Sequence, residues 1–125
     1  MRLKALLVED DPFTLTLIAR SLEDIGYEVY CHGSLTEAMT TLSMRRIDLA
    51  ILEMADPSIP IKDFIKRAKA LQENCCFVCL GDFLTAMDFI SLQNAGAMEF
   101  WRKPGTAGEV ESMISLLNHC GPGTH

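Results

Sequence analysis

The chain has no Lys/Arg-rich run: its 11 basic residues are scattered among 17 acidic ones, giving a formal charge of -6 and a pI near 4.9. Such a surface repels phosphate backbones, so direct nucleic-acid binding is not expected. Long apolar runs are missing too. No stretch approaches the ~20 residues that cross a bilayer, and the opening Met-Arg-Leu-Lys-Ala-Leu-Leu-Val leads into acidic residues without a signal-peptide cleavage pattern. A cytoplasmic protein with no membrane segment is expected. Histidine is scarce, and His32, His119 and His125 do not share metal-ligand spacing. No Ser-His-Asp or Cys-His arrangement can be assembled, and no enzyme activity is expected.

The five cysteines are odd in number, and Cys31, Cys75, Cys76 and Cys79 sit in apolar, strand-like runs where a small hydrophobe would serve equally well. Reduced thiols are the expectation. Cys76 and Cys79 form a C-x-x-C, but a redox pair works at a helix N-terminus, where the dipole lowers the thiol pKa. These two lie inside an apolar run, which favours structural burial over redox or metal use.

What the chain does have is a core. Its 125 residues, 49% of them hydrophobic, suit one domain that buries roughly two thirds of its unfolded-chain surface. Short apolar runs at 3–8, 27–31, 49–52, 76–80 and 98–101 alternate with helix-period segments at 12–25, 34–44, 61–72, 83–94 and 107–118. That alternation predicts a (βα)5 α/β domain, a parallel sheet with helices on both faces. Pro12 suits a first helical turn, Ser34-Leu-Thr-Glu37 is a capping box, and Gly96 suits a left-handed helix end. The domain is placed at 1–118, with 119–125 as a frayed tail or the stump of a linker that an output domain would follow.

In such a sheet, ligands gather outside the carboxyl ends of the strands, where strand order reverses. Glu9-Asp10-Asp11 follows the first strand, Glu53 the third, Gly81 the fourth and Lys103 the fifth. All are expected on one rim. Carboxylates clustered there need a counter-charge, either Mg²⁺ or the Lys103 ammonium.

Ala5-Leu-Leu-Val-Glu-Asp-Asp11, Asp48-Leu-Ala-Ile-Leu-Glu-Met-Ala-Asp-Pro57, Asn94-Ala-Gly-Ala97 and Phe100-Trp-Arg-Lys-Pro104 together resemble the landmarks of response-regulator receiver domains. The resemblance implies a flavodoxin-like, doubly wound five-stranded sheet of order 2-1-3-4-5. It also implies that Glu9 and Asp10 are the metal-binding acidic pair, Lys103 the phosphate-contacting lysine, and Phe100 the rotating aromatic of the switch. Two departures stand out. Glu53 replaces the phosphoacceptor aspartate, and Gly81 replaces the Ser/Thr whose hydroxyl follows the phosphoryl group. The family's Asp-Gly beyond Pro57 is Pro60-Ile61 here.

The extra methylene of Glu53 misplaces an acceptor, and misplacement by about 1 Å can cost a hundredfold. Glu53 is expected either to pair with Lys103 and fix one conformation, or to remain a solvated carboxylate. Weak Mg²⁺ binding by Glu9, Asp10 and Glu53 is an expectation, although no cofactor is required. Asp56 is a distant alternative acceptor, three residues farther into the loop.

The resemblance therefore implies an atypical bacterial receiver in two-component or phosphorelay signalling that acts by phosphorylation-independent protein contact. A functional phosphoreceiver using Mg²⁺ and a small-molecule-sensing pseudo-receiver are the alternatives. The fourth helix segment is apolar nearly all round. With the fifth strand and helix it offers a candidate interface for a protein partner or a homodimer, with Phe83, Met87, Ile90, Phe100, Trp101 and Met113 as its residues; for Trp101, filling core beneath a helix is the equal alternative.

Overall fold

A computed structural model describes residues 2–56, 58–82 and 86–117. The elements run β1 Lys4–Val8, α1 Pro12–Asp24, β2 Glu28–His32, α2 Leu35–Met44, β3 Leu49–Glu53, α3 Ile61–Leu71, β4 Cys76–Leu80, α4 Ala86–Ala95, β5 Ala97–Trp101 and α5 Ala107–Ser115. The strands form one parallel sheet of order β2-β1-β3-β4-β5, the expected doubly wound α/β fold. Phe83 and the 119–125 tail lie outside the described residues, as does the side chain of Met87.

Period-two alternation decides which face each strand residue serves. Leu6, Val8, Ala50, Leu52, Phe77 and Cys79 point one way, against Leu35, Ala38 and Leu42 of α2, Phe64, Ile65 and Ala68 of α3, and Leu92 and Ala95 of α4. Ala5, Leu7, Leu49, Ile51, Val78, Leu80 and Trp101 point the other way, against Ile18 and Leu22 of α1 and Val110 and Ile114 of α5. β3 and β4 are buried along their whole length because helices cover both of their faces.

The helix ends follow local chemistry. Asp11 caps α1 by accepting from the Thr14 N–H at 2.9 Å, with Pro12 as the first helical residue. Ser34 Oγ accepts from the Glu37 N–H, while Glu37 Oε2 accepts from Gly33 instead of Ser34, so the capping box closes one residue early. Gly96 ends α4 at φ +127°, a backbone state that suits glycine.

Gln72 is a structural residue that the sequence reading missed. Its side-chain oxygen accepts from the Ile47 N–H at 2.6 Å and its amide donates to Leu42 O at 2.8 Å and Arg45 O at 2.6 Å, tying the end of α3 to the α2–β3 connection. Cys31, Cys75 and Cys79 are free, and burial pushes the Cys75 and Cys79 thiols up to about 12, so they are inert core residues.

Candidate functional site

β1, β3 and β5 end at the same rim, and each delivers one member of a charged cluster. Glu9 directly follows β1, Glu53 is the last residue of β3, and Lys103 lies two residues past β5. The register fixes this convergence, because Val8 pairs with Leu52 and Leu80 pairs with both Glu53 and Trp101. Lys103 Nζ donates to Glu9 Oε1 and to Glu53 Oε1, each at 2.7 Å. Glu53 Oε2 also accepts from the Asp10 backbone N–H at 3.3 Å.

The electrostatics follow from burial. Glu9 is 1% exposed, and desolvation raises its carboxyl from 4.5 to about 7, because it outweighs the Lys103 hydrogen bond and is reinforced by repulsion from Glu53. Glu9 Oε2 is buried without a hydrogen-bond partner. Desolvation opposes the Lys103 charge, but its bonds to Glu53 and Glu9 outweigh this and hold its pKa above that of an ordinary lysine. The ammonium therefore stays charged across the physiological range. Asp10 is exposed, and carboxylate oxygens of Glu9, Asp10 and Glu53 lie within 4.8 Å of one another.

A cleft of about 610 Å³ opens beside the cluster, lined by Glu53, Met54, Pro60, Ile61, Gly81, Asp82, Asp88, Leu92 and Lys103. Gly81 is part of its lining, and a Cβ there would stand 2.5 Å from Met54 Cε. Asp56 lies apart from the cluster and serves structure. It accepts from the Leu35 N–H at 2.9 Å, at the start of α2, and from the Ser58 N–H at 2.7 Å. Burial works against its charge, yet the hydrogen bond donated by the Ser58 hydroxyl and these two N–H bonds hold its pKa below the ordinary value.

Residues 5–115 match the family model described as the response regulator receiver domain. The chain belongs to the response regulator receiver domain family. It is 32% identical over 126 residues to the transcriptional regulatory protein CrdR of Helicobacter pylori, a match covering 98% of this chain and 58% of that protein. The chain thus spans little more than half the length of that relative. Its fold is similar to a CheY-like receiver domain protein from Methanospirillum hungatei (TM-score 0.83, 21% identity, 93% of each chain covered). It is also similar to a Burkholderia pseudomallei response regulator solved with a phosphorylated aspartic acid, calcium ion and citrate (TM-score 0.76, 19% identity, covering 93% of this chain and 75% of that one). These structural likenesses show the shared fold.

In this receiver domain the sequence-predicted residues Glu9, Asp10, Glu53, Gly81 and Lys103 come together at one rim. The predicted interface residues separate. Trp101, offered as an interface residue, is 5% exposed and packs in the core with Val110 and Ile114, because its strand parity turns it toward α1 and α5; it is withdrawn from the surface. Ile90 is 53% exposed, whereas Phe100 and Met113 are half-buried. Two residues not singled out join them. Phe89 stacks on Phe100 with ring centroids 4.3 Å apart, and Met98 is exposed beside the β-bulge where β5 slips against β4. The signal for Phe89 was the same apolar fourth helix, which does not say which of its faces the sheet leaves uncovered, and Met98 lies in the apolar run of β5.

Proposed function

We propose that this receiver domain acts in the cytoplasm, in two-component signalling, by phosphorylation-independent contact with a protein partner or a second copy of itself, with Glu53 in the place of the family's phosphoacceptor aspartate. The observation that carries this reading is the double engagement of Lys103, 2.7 Å from both Glu9 and Glu53. A lysine that would meet a phosphoryl oxygen already has its charge matched by carboxylates of the protein itself. Gly81 has no hydroxyl to report a phosphoryl group's arrival. Phe89 and Ile90 on α4 and Met98 on β5 are exposed, and Phe89 packs on Phe100, which supports contact through the α4–β5 face.

A second reading, a phosphoreceiver that uses Mg²⁺, is favoured by one observation: the unpartnered, buried Glu9 Oε2 beside Asp10 and Glu53. This all-oxygen donor set fits a hard divalent cation, which Glu9, Asp10 and Glu53 would hold. Such an ion supplies positive charge against a phosphoryl group's oxygens. The Burkholderia relative carries its phosphoryl group on an aspartic acid. The 610 Å³ cleft favours a third reading, small-molecule sensing, which thermal-shift screening with nucleotides and metabolites would test.

Intact-protein mass spectrometry after incubation with Mg²⁺ and acetyl phosphate decides between the first two, with Glu53→Asp run alongside. The proposal expects no added phosphoryl mass on the wild type. A stable, Mg²⁺-dependent adduct mapped to Glu53 would refute it and establish the phosphoreceiver.

A further inference from the structure

Met54 and Gly81 face each other immediately beyond the paired ends of β3 and β4, where Glu53 is opposite Leu80. Both backbones are held by the sheet: the Met54 N–H donates to Leu80 O at 2.9 Å and the Gly81 N–H to Trp101 O at 3.0 Å. A side chain at 81 cannot be accommodated by parting β3 from β4 without breaking the Met54–Leu80 bond, or by shifting Gly81 away without straining its bond to Trp101 on β5. A Cβ on Gly81 would meet Met54 Cε at 2.5 Å but Met54 Cβ and Cγ at 3.6 and 3.9 Å. Those last two distances are ordinary van der Waals contact. Only the terminal methyl overlaps, and it sits where a residue-81 side chain would begin.

We propose that Met54 and Gly81 form one steric unit, in which the Met54 methyl takes the place of a side chain at 81 and Met54 thereby determines what the cleft beside Glu53 and Lys103 admits. Methionine suits this role because its unbranched stem and three rotatable bonds let the thioether end swing while the backbone stays in register. Both residues line the cleft, so the cleft is a space open to the displaced methyl. A side chain at 81 would therefore push Met54 into the cleft and shrink it. The bearing of this unit on phosphoryl response rests on the function proposed above: restoring a hydroxyl at 81 would not restore the pocket while Met54 keeps its place. The steric unit itself does not depend on that reading.

Two measurements test it without any phosphoryl donor. In protein labelled at the methionine methyls, with the Met54 resonance assigned by its loss in Met54→Leu, Gly81→Ala should move the Met54 resonance and leave that of Met44, exposed at the end of α2, in place. In urea unfolding, Gly81→Thr should lower the folding equilibrium constant at least about tenfold more in the wild-type background than in Met54→Ala, within the range of coupling between touching residues. Effects of Gly81→Thr that agree within about twofold in both backgrounds, or an unmoved Met54 methyl in Gly81→Ala, would overturn the proposal. If Gly81→Thr does not fold with Met54 present but folds with Met54→Ala, the coupling is established directly. A phosphorylated wild type would refute the proposed function and leave this unit standing.

Discussion

Replacing Lys103 by methionine keeps the aliphatic stem and removes the ammonium that Glu9 Oε1 and Glu53 Oε1 share at 2.7 Å each. Orphaning a buried charge costs about 3–5 kcal/mol. The Lys103 side chain is 22% exposed, so water reaches part of the site, and the lower part of that range, about 3 kcal/mol, is expected when both carboxylates are ionised. Glu9 makes the cost depend on pH. Burial raises it from 4.5 to about 7, so the folded protein holds a proton that the unfolded chain has released over that interval. The stability this group contributes is fully present below 4.5 and is lost as pH rises to about 7.

At pH 5.5 Glu9 is largely protonated in the folded state, and losing Lys103 orphans Glu53 alone, at a cost of roughly 1–2 kcal/mol. At pH 8.5 Glu53 is again orphaned, and Glu9, which without Lys103 holds its proton to still higher pH, must either stay ionised without a partner or take up a proton, and both add to the cost. Urea unfolding should therefore show the Lys103→Met midpoint falling by about 1–3 M at pH 8.5 and by about half as much at pH 5.5, given m near 1–3 kcal/mol/M. In a Glu9→Gln background the difference between the two pH values should vanish. Equal midpoint shifts at both pH values in the wild-type background would show that Glu9 is not the titrating partner and would refute the reasoning.

Gln72→Ala removes three hydrogen bonds and leaves the Ile47 N–H without its acceptor, so calorimetry should register a loss of about 2–3 kcal/mol, with Gln72→Glu recovering only the accepted bond. Gly96→Ala forces a Cβ onto φ +127° and to 3.4 Å from Ile65 Cγ2, and thermal unfolding should show destabilisation of roughly 1–3 kcal/mol. Asp56→Ala deprives the Leu35 N–H of its acceptor, and should cost about 1 kcal/mol in chemical denaturation while leaving the acetyl phosphate result unchanged. A phosphoryl adduct lost specifically in Asp56→Ala would instead make Asp56 an acceptor.

The order of elements was legible from the sequence because each carries its own local signal. Alternating apolar runs gave β1 to β5, Pro12 and Ser34 marked helix starts, and Gly96 marked a helix end; the bounds moved by only a few residues. The acidic residues and Lys103 were legible as a rim cluster because a parallel sheet places every strand's carboxyl end on one side. Family membership rests on the same spaced landmarks, within residues 5–115. Three features depended on tertiary structure. Trp101 became a core residue because the parity of β5 set which layer it entered, something composition does not encode. Gln72 became a three-bond clasp only because the end of α3 comes to rest against the α2–β3 connection, 25 residues away from Ile47 in the chain. The Met54–Gly81 contact likewise exists only because β3 pairs with β4 in one register, so that a methyl just beyond one strand fills the space left open by a glycine just beyond the other. Local propensity and strand direction are properties of neighbouring residues, and the sequence determined them; which side chains meet across the sheet is a property of register and packing, and only the folded chain decided that.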